Sequence, residues 1–202
     1  MRRESSTVVG LVGDVPERLL TEAARPANVA VIRPPGDGQG SLEAASRALA
    51  EASRRMVPYV LVAADPLAAV AAAWQAMWDV ARGPQGAADF EQQSAAALAA
   101  WRAHRFELPD YYLVVAAASE QPEAPGPPGF YLGPLRSARP HRVAAVMAAD
   151  AAQQAAGVRQ ALRSLPHGPW WPPLPEVIDT ARGFYAGGLA ESAGSLASPG
   201  PA

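Results

Sequence analysis

The sequence predicts an α/β protein with an open, mostly parallel sheet and helices on both faces, a three-layer arrangement of the Rossmann-like or flavodoxin-like kind. One observation is a set of short apolar runs that are continuous instead of alternating, as in strands buried on both faces; they lie at residues 7–12, 28–33, 59–63 and 111–117. The other is that segments with helical apolar spacing separate these runs. Strands that alternate with helices indicate a parallel sheet.

The elements follow one another regularly in the segment 1–118, which we expect to form an α/β lobe. Helical spacing follows each of the first three strands, and these helices are expected over residues 15–24, 41–56 and 67–78. A further helix is expected over residues 89–105, directly before the fourth strand.

The C-terminal part begins after a Pro/Gly-rich loop at residues 119–129, which holds four prolines and two glycines. Residues 130–186 either complete the same domain or form a small second lobe. Within them we expect strands at 130–135 and 142–147, a helix at 150–165 and a last helix ending near Tyr185. Residues 187–202 are mostly Gly, Ser, Ala and Pro, a composition that predicts a disordered tail.

Composition excludes several chemistries. The chain has no cysteine, and all 17 of its Lys+Arg residues are arginine. A thiolate nucleophile, a disulfide, cysteine-ligated zinc or iron–sulfur, and a Schiff-base or phosphate-loop lysine are therefore excluded. No cofactor is expected.

The net charge of -2 gives no global attraction to nucleic acid or membranes, and no apolar run has the length of a membrane span. We expect a cytoplasmic protein.

Asp14, Asp65 and Asp150 follow strands, where parallel sheets place their ligand crevice, so they are candidate site residues. Helix capping is the alternative that we favour. Asp14 and Asp150 are followed three residues later by Glu17 and Gln153, the spacing of a capping box, as Asp89 is by Gln92. Asp65 precedes a proline, which favours the first helical position.

Two segments could hold an anionic ligand. A glycine-rich loop joins Arg33 to a helix that begins at Ser41, so backbone amides near Gly38 and Gly40 and the Arg33 guanidinium could bind an anion. The alternative is a loop whose glycines only provide turns. A second basic run, without acidic residues from 133 to 147, contains Arg136, Arg139, His141 and Arg142. Its alternative is a solvated turn before a strand.

The segment 166–175 has the most unusual composition of the chain, with five prolines around adjacent tryptophans. Trp170 and Trp171 cannot both face one way in an extended backbone, so we expect one to anchor the segment on the core and the other to be exposed. The segment is therefore either a partner surface or a rigid connector. The three histidines, His104, His141 and His167, lack metal-ligand spacing, and no metal site is expected.

Residues 8–26 resemble the opening of 2-hydroxyacyl-CoA dehydratase and benzoyl-CoA reductase subunits. The resemblance rests on a glycine-containing strand followed by Val15-Pro16, Glu17, Leu19-Leu20 and Ala23-Ala24. The order of elements continues to look similar through the Asp65-Pro66 junction, up to about residue 82. The family implies paired α/β lobes, a cysteine-ligated [4Fe–4S] cluster, an acyl-CoA substrate, a partner subunit and an ATP-driven activator.

This chain departs from that family because it is about half the usual length and has no cysteine to hold the cluster. The resemblance therefore implies at most a ligand-binding or subunit-pairing role, and no catalytic residue is carried over.

The sequence leaves two functions open. One is a small ligand-binding or accessory protein for an acyl-CoA-like or phosphorylated anion. The alternative is a protein-interaction subunit, in a homo- or hetero-oligomer, that docks through Trp170 and Trp171. Whether the chain is an enzyme stays open, and an uncapped Asp beside a His would favour one.

Overall fold

The computed structural model describes residues 6–34, 41–79, 81–82, 84–117 and 127–196. Five parallel strands form one open sheet in the order β2-β3-β1-β4-β5. The strands are β1 (Thr7–Gly13), β2 (Val29–Ile32), β3 (Tyr59–Val62), β4 (Tyr111–Ala117) and β5 (Val143–Ala148). The predicted fold class is confirmed, although the order differs from both the Rossmann and the flavodoxin order in its first three strands.

Helices cover both faces of the sheet. The first face carries α1 (Glu17–Ala23) and α7 (Ala151–Arg163), which pack on each other. The second face carries α2 (Leu42–Ala52), α3 (Ala68–Ala76), α4 (Pro84–Arg102) and α8 (Leu174–Leu196). The chain moves from β1 towards one edge and afterwards towards the other, so right-handed crossovers place α1 on the opposite face from α2 and α3.

Two hydrophobic layers lie on the two faces because neighbouring residues of each strand point in opposite directions. Val8, Val60 and Val114 are fully buried under the second face, whereas Val9 and Leu61 are fully buried under the first. This continuous burial explains why the strands appear in the sequence as unbroken apolar runs.

The region 130–135, expected as a strand, is helical instead. A short helix α5 (Pro127–Phe130) leads into a π-helical turn at Tyr131–Leu135, then into α6 (Arg136–Ala138) and a 3₁₀ turn at Pro140–Arg142. Pro134 has no N–H for a strand ladder, and its ring disfavours a regular α-helical turn, so the wider π turn accommodates it.

Several boundaries also differ from the expected ones. Helix α2 ends at Ala52, so Met56 lies outside its apolar stripe and is 83% exposed. Helix α4 starts at Pro84, which places Asp89 inside the helix and not at its cap. Helix α8 continues beyond Tyr185 to Leu196, into the segment expected to be disordered.

The C-terminal part belongs to the same sheet as the N-terminal lobe, because β5 pairs along its whole length with β4. The expected loop at 119–129 lies mostly outside the described residues. Among the helices that the structure describes, none combines the length and the apolar character required to cross a bilayer.

Candidate functional site

The three aspartates that follow strands have three different environments. Asp150 caps α7, because its carboxylate accepts hydrogen bonds from the backbone N–H groups of Ala152 and Gln153, both at 2.9 Å. Asp14 is exposed and does not cap α1, whose N-cap is Pro16 without a side-chain hydrogen bond. The expected capping box is not formed there because α1 begins at Glu17, which is therefore the first helical residue and not the third after a cap at Asp14. The Glu17 carboxylate pairs with Arg33.

Asp65 also differs from the expected cap. Helix α3 begins only at Ala68, after the N-cap Leu67, and has no side-chain cap. The Asp65 side chain points into the protein, with 7% of the residue exposed. Its Oδ1 accepts a hydrogen bond from the Tyr112 hydroxyl at 2.7 Å, and its Oδ2 accepts a short one from the Tyr131 hydroxyl. We call these three residues the Asp65 cluster.

The strand register explains how Tyr112 reaches Asp65. Gly10 of β1 lies level with Val62, the end of β3, and with Tyr112 in β4. A Cβ atom on Gly10 would lie 3.0 Å from the Tyr112 ring, so the missing side chain lets that ring lie across β1. The hydroxyl then extends past the end of β3 to the carboxylate.

Burial dominates the electrostatics of the Asp65 cluster. It raises the pKa of Asp65, while the hydrogen bonds from Tyr131, Tyr112 and the backbone of Leu67 act in the opposite direction. Burial and the nearby carboxylate raise the pKa of both tyrosine hydroxyls well above the usual value, so the phenols remain donors. The cluster can hold or release a proton at Asp65. All three histidines are exposed, and the side chains that donate hydrogen bonds to Asp65 are those of tyrosines, so Asp65 is uncapped but not paired with a histidine.

The first expected anion site is only partly described. The Arg33 guanidinium binds Glu17 through two contacts, Nη2 to Oε1 at 2.8 Å and Nε to Oε2 at 3.1 Å. Ser41 caps α2 by accepting from the Ala44 N–H at 3.1 Å. Gly38 and Gly40 lie outside the described residues. An anion at Arg33 would therefore have to compete with the Glu17 carboxylate.

The second expected anion site lies at the opposite edge of the sheet, because Arg136 and Arg139 precede β5 whereas Arg33 follows β2. The two sites are not brought together. Arg139 already holds the tryptophan segment, residues 166–175: its Nε donates to the Trp170 carbonyl at 2.7 Å. Arg136 is exposed on the short helix α6.

Arg142 makes more contacts with the segment 166–175 than Arg139 does. The sequence did not identify it as a structural residue. Its guanidinium is buried and donates to three carbonyls, those of Gly168 at 2.8 Å, Pro169 at 3.1 Å and Asp110 at 3.2 Å. It also lies 4.8 Å from the centroid of the Tyr111 ring and 5.0 Å from that of Trp170. The basic run suggested this position, but its carbonyl partners are distant in sequence and could not be read from it.

The two tryptophans face opposite ways, as expected. Trp171 is buried, donates from Nε1 to the Pro109 carbonyl at 2.7 Å, and packs edge-on against Tyr112. Trp170 is 48% exposed. The preceding residues are also fixed, since the Tyr111 hydroxyl donates to the Pro166 carbonyl at 2.9 Å. We call Trp170 together with Arg139, His141 and Arg142 the Trp170 platform.

Within the described residues, no cluster of three or more histidine, aspartate or glutamate side chains could hold a metal ion. The functional candidates are thus the Trp170 platform, the Arg33 region and the Asp65 cluster. No protein-family model, curated protein or solved structure matches this chain.

Proposed function

We propose that this protein is an interaction subunit that docks a partner protein through the Trp170 platform. The observation that supports the proposal most directly is the presentation of Trp170. Nearly half of this large apolar residue is in contact with solvent, although the backbone on both sides of it is fixed. Tryptophan and arginine are the residue types most enriched among those that dominate binding energies at interfaces.

The rigidity of the segment favours docking over a simple connector. A connector needs only the buried Trp171 and the prolines. Here the Arg139 and Arg142 side chains additionally fix the carbonyls of residues 168–170. Because the indole is already held in place, a partner that covers it loses little additional conformational entropy on binding.

The test compares Trp170→Ala with Met56→Ala, a control that removes another large exposed side chain outside the platform. Each variant is used as bait beside the wild type in quantitative co-purification, with far-UV CD and the melting temperature as checks on folding. We expect Trp170→Ala to lose partners, or to change the oligomeric mass, while Met56→Ala behaves as wild type. Equal association by all three proteins would overturn the proposal.

A second candidate is binding of an acyl-CoA-like or phosphorylated anion at Arg33. The two contacts with Glu17 support it, because they show a guanidinium that already binds a carboxylate beyond the carboxyl end of β2, where an anion that displaces Glu17 could bind. Ligand binding is one of the two roles that the dehydratase resemblance implies; the other is subunit pairing. Glu17→Gln, which removes the competing carboxylate, tests this second candidate function by its effect on anion binding.

A further inference from the structure

The Trp170 platform lies in the most basic part of the chain. Residues 124–175 contain one acidic residue, Asp150, and five arginines: Arg136, Arg139, Arg142, Arg159 and Arg163. The remainder of the chain contains the other twelve arginines and eighteen acidic residues. The protein is therefore acidic overall but positively charged in the segments that build the platform.

The one acidic residue of the segment 124–175 lies away from the Trp170 platform. Asp150 caps α7 beyond the carboxyl end of β5, whereas Arg142 lies before its amino end. Six strand residues separate the two ends, which corresponds to about 20 Å and exceeds the screening length in physiological salt. The Asp110 carbonyl accepts from Arg142, and its carboxylate Oδ2 accepts a hydrogen bond from the Val8 N–H of β1 at 2.6 Å.

The positive charge around Trp170 is not neutralised by the contacts that hold the segment. Arg139 and Arg142 donate to backbone carbonyls, which orient a guanidinium but carry no net charge. His141 packs against the same segment, since a Cβ atom on Gly168 would lie 2.5 Å from its ring. Arg136 precedes Arg139 by about one helical turn and is exposed.

We infer that the partner segment that docks on Trp170 is an acidic peptide in which carboxylates flank an apolar residue; this rests on the docking function proposed above. The apolar residue covers the exposed indole, and the carboxylates face Arg136, Arg139 and His141. Opposite charge around an apolar centre provides specificity and faster association. Single-stranded nucleic acid is less favoured, because it requires a basic groove that follows several phosphates and more than one stacking platform.

The experiment selects from a random dodecapeptide library on the immobilised full-length protein, with selection on Trp170→Ala as the subtraction. We expect the peptides that depend on Trp170 to be enriched in Asp and Glu relative to the unselected library. Trp170-dependent peptides of neutral or basic composition would overturn the inference but leave the docking function intact. If no peptide depends on Trp170, both proposals fail.

A synthesised acidic peptide from the selection then tests the charge contribution by fluorescence anisotropy. We expect Arg136→Glu to weaken its binding about fivefold and higher salt to weaken it further. The same exchange at Arg47, which is exposed on α2, should leave binding unchanged. Equal weakening by both exchanges, or tighter binding of a dT12 oligonucleotide than of the peptide, would contradict an acidic peptide partner.

Discussion

Trp171 packs edge-on against Tyr112, with their ring centroids 5.8 Å apart. The ring that donates a hydrogen bond to Asp65 therefore also supports the segment that exposes Trp170. One aromatic contact thus connects the buried Asp65 carboxylate, beyond the carboxyl end of β3, with the candidate docking surface, before the amino end of β5.

The two adjacent tryptophans should differ sharply in their contribution to stability. Trp171→Ala removes a buried indole and the hydrogen bond to Pro109, so we expect a loss of about 3 to 5 kcal/mol in the free energy of unfolding. Trp170→Ala should cost less than about 1 kcal/mol because about half of Trp170 is already exposed and its indole makes no hydrogen bond among the contacts described above. Urea unfolding followed by far-UV CD measures both values. Similar losses for the two variants would contradict the orientation seen here.

Substitution of Arg142 should show that its planar guanidinium is required for the full stability of the fold. Arg142→Lys keeps the positive charge, but one ammonium group cannot reach the three carbonyls of Gly168, Pro169 and Asp110 together. We expect a loss of about 2 kcal/mol, from carbonyls that lose their donors. Arg105→Lys, on an exposed position, is the control and should be neutral in the same urea titration.

The raised pKa of Asp65 predicts that the stability of the protein depends on pH. Burial raises its pKa above the ordinary value of 3.8, so the folded state favours the protonated carboxyl. The stability due to this preference is complete below pH 3.8 and is lost as the pH rises through the folded-state pKa. The Asp65→Asn variant does not titrate there, so the wild type should lose stability relative to it as the pH rises.

The measurement is the free energy of unfolding of wild type and Asp65→Asn in urea at a series of pH values. Asp79→Asn, on the surface, controls for the removal of one negative charge. A difference between wild type and Asp65→Asn that stays constant over this range would show that Asp65 has no raised pKa in the folded protein.

The candidate anion site predicts competition between Glu17 and a ligand. If an anion binds Arg33, Glu17→Gln should increase the thermal shift caused by CoA esters, nucleotides or sugar phosphates, because the competing carboxylate is gone. Arg33→Gln should abolish the shift. If none of these compounds moves the melting temperature of wild type or of Glu17→Gln, the second candidate function fails.

Local patterns were sufficient to predict most of the fold. β4 has the predicted bounds, and the helices fall on both faces as the continuous apolar strands require. The run from Phe130 to Leu135 was assigned to the wrong element because a short apolar run fits a strand or a buried helical turn equally well. Pro134, which has no N–H for a strand ladder, and the packing of the run against α8 and α3 distinguish the two.

The site could be predicted less well, because its decisive contacts connect distant residues. Asp65 has the sequence context of a cap, but its partners lie 47 and 66 positions further along the chain. Glu17 has capping-box spacing, yet α1 begins at Glu17 itself and its carboxylate pairs with Arg33, 16 positions away. The opposite orientation of Trp170 and Trp171 follows from backbone geometry alone, and it was predicted.

The π-helical turn at Tyr131–Leu135 fixes the angular relationship between the two regions that it separates. Such a turn contains one residue more than an α-helical turn, and one residue corresponds to about 100° of rotation around a helix axis. Deleting a residue here would rotate Tyr131 relative to Arg139, so that either Asp65 or the Trp170 carbonyl would lose its donor. Related chains that retain both contacts should therefore tolerate substitutions in this turn but neither insertions nor deletions.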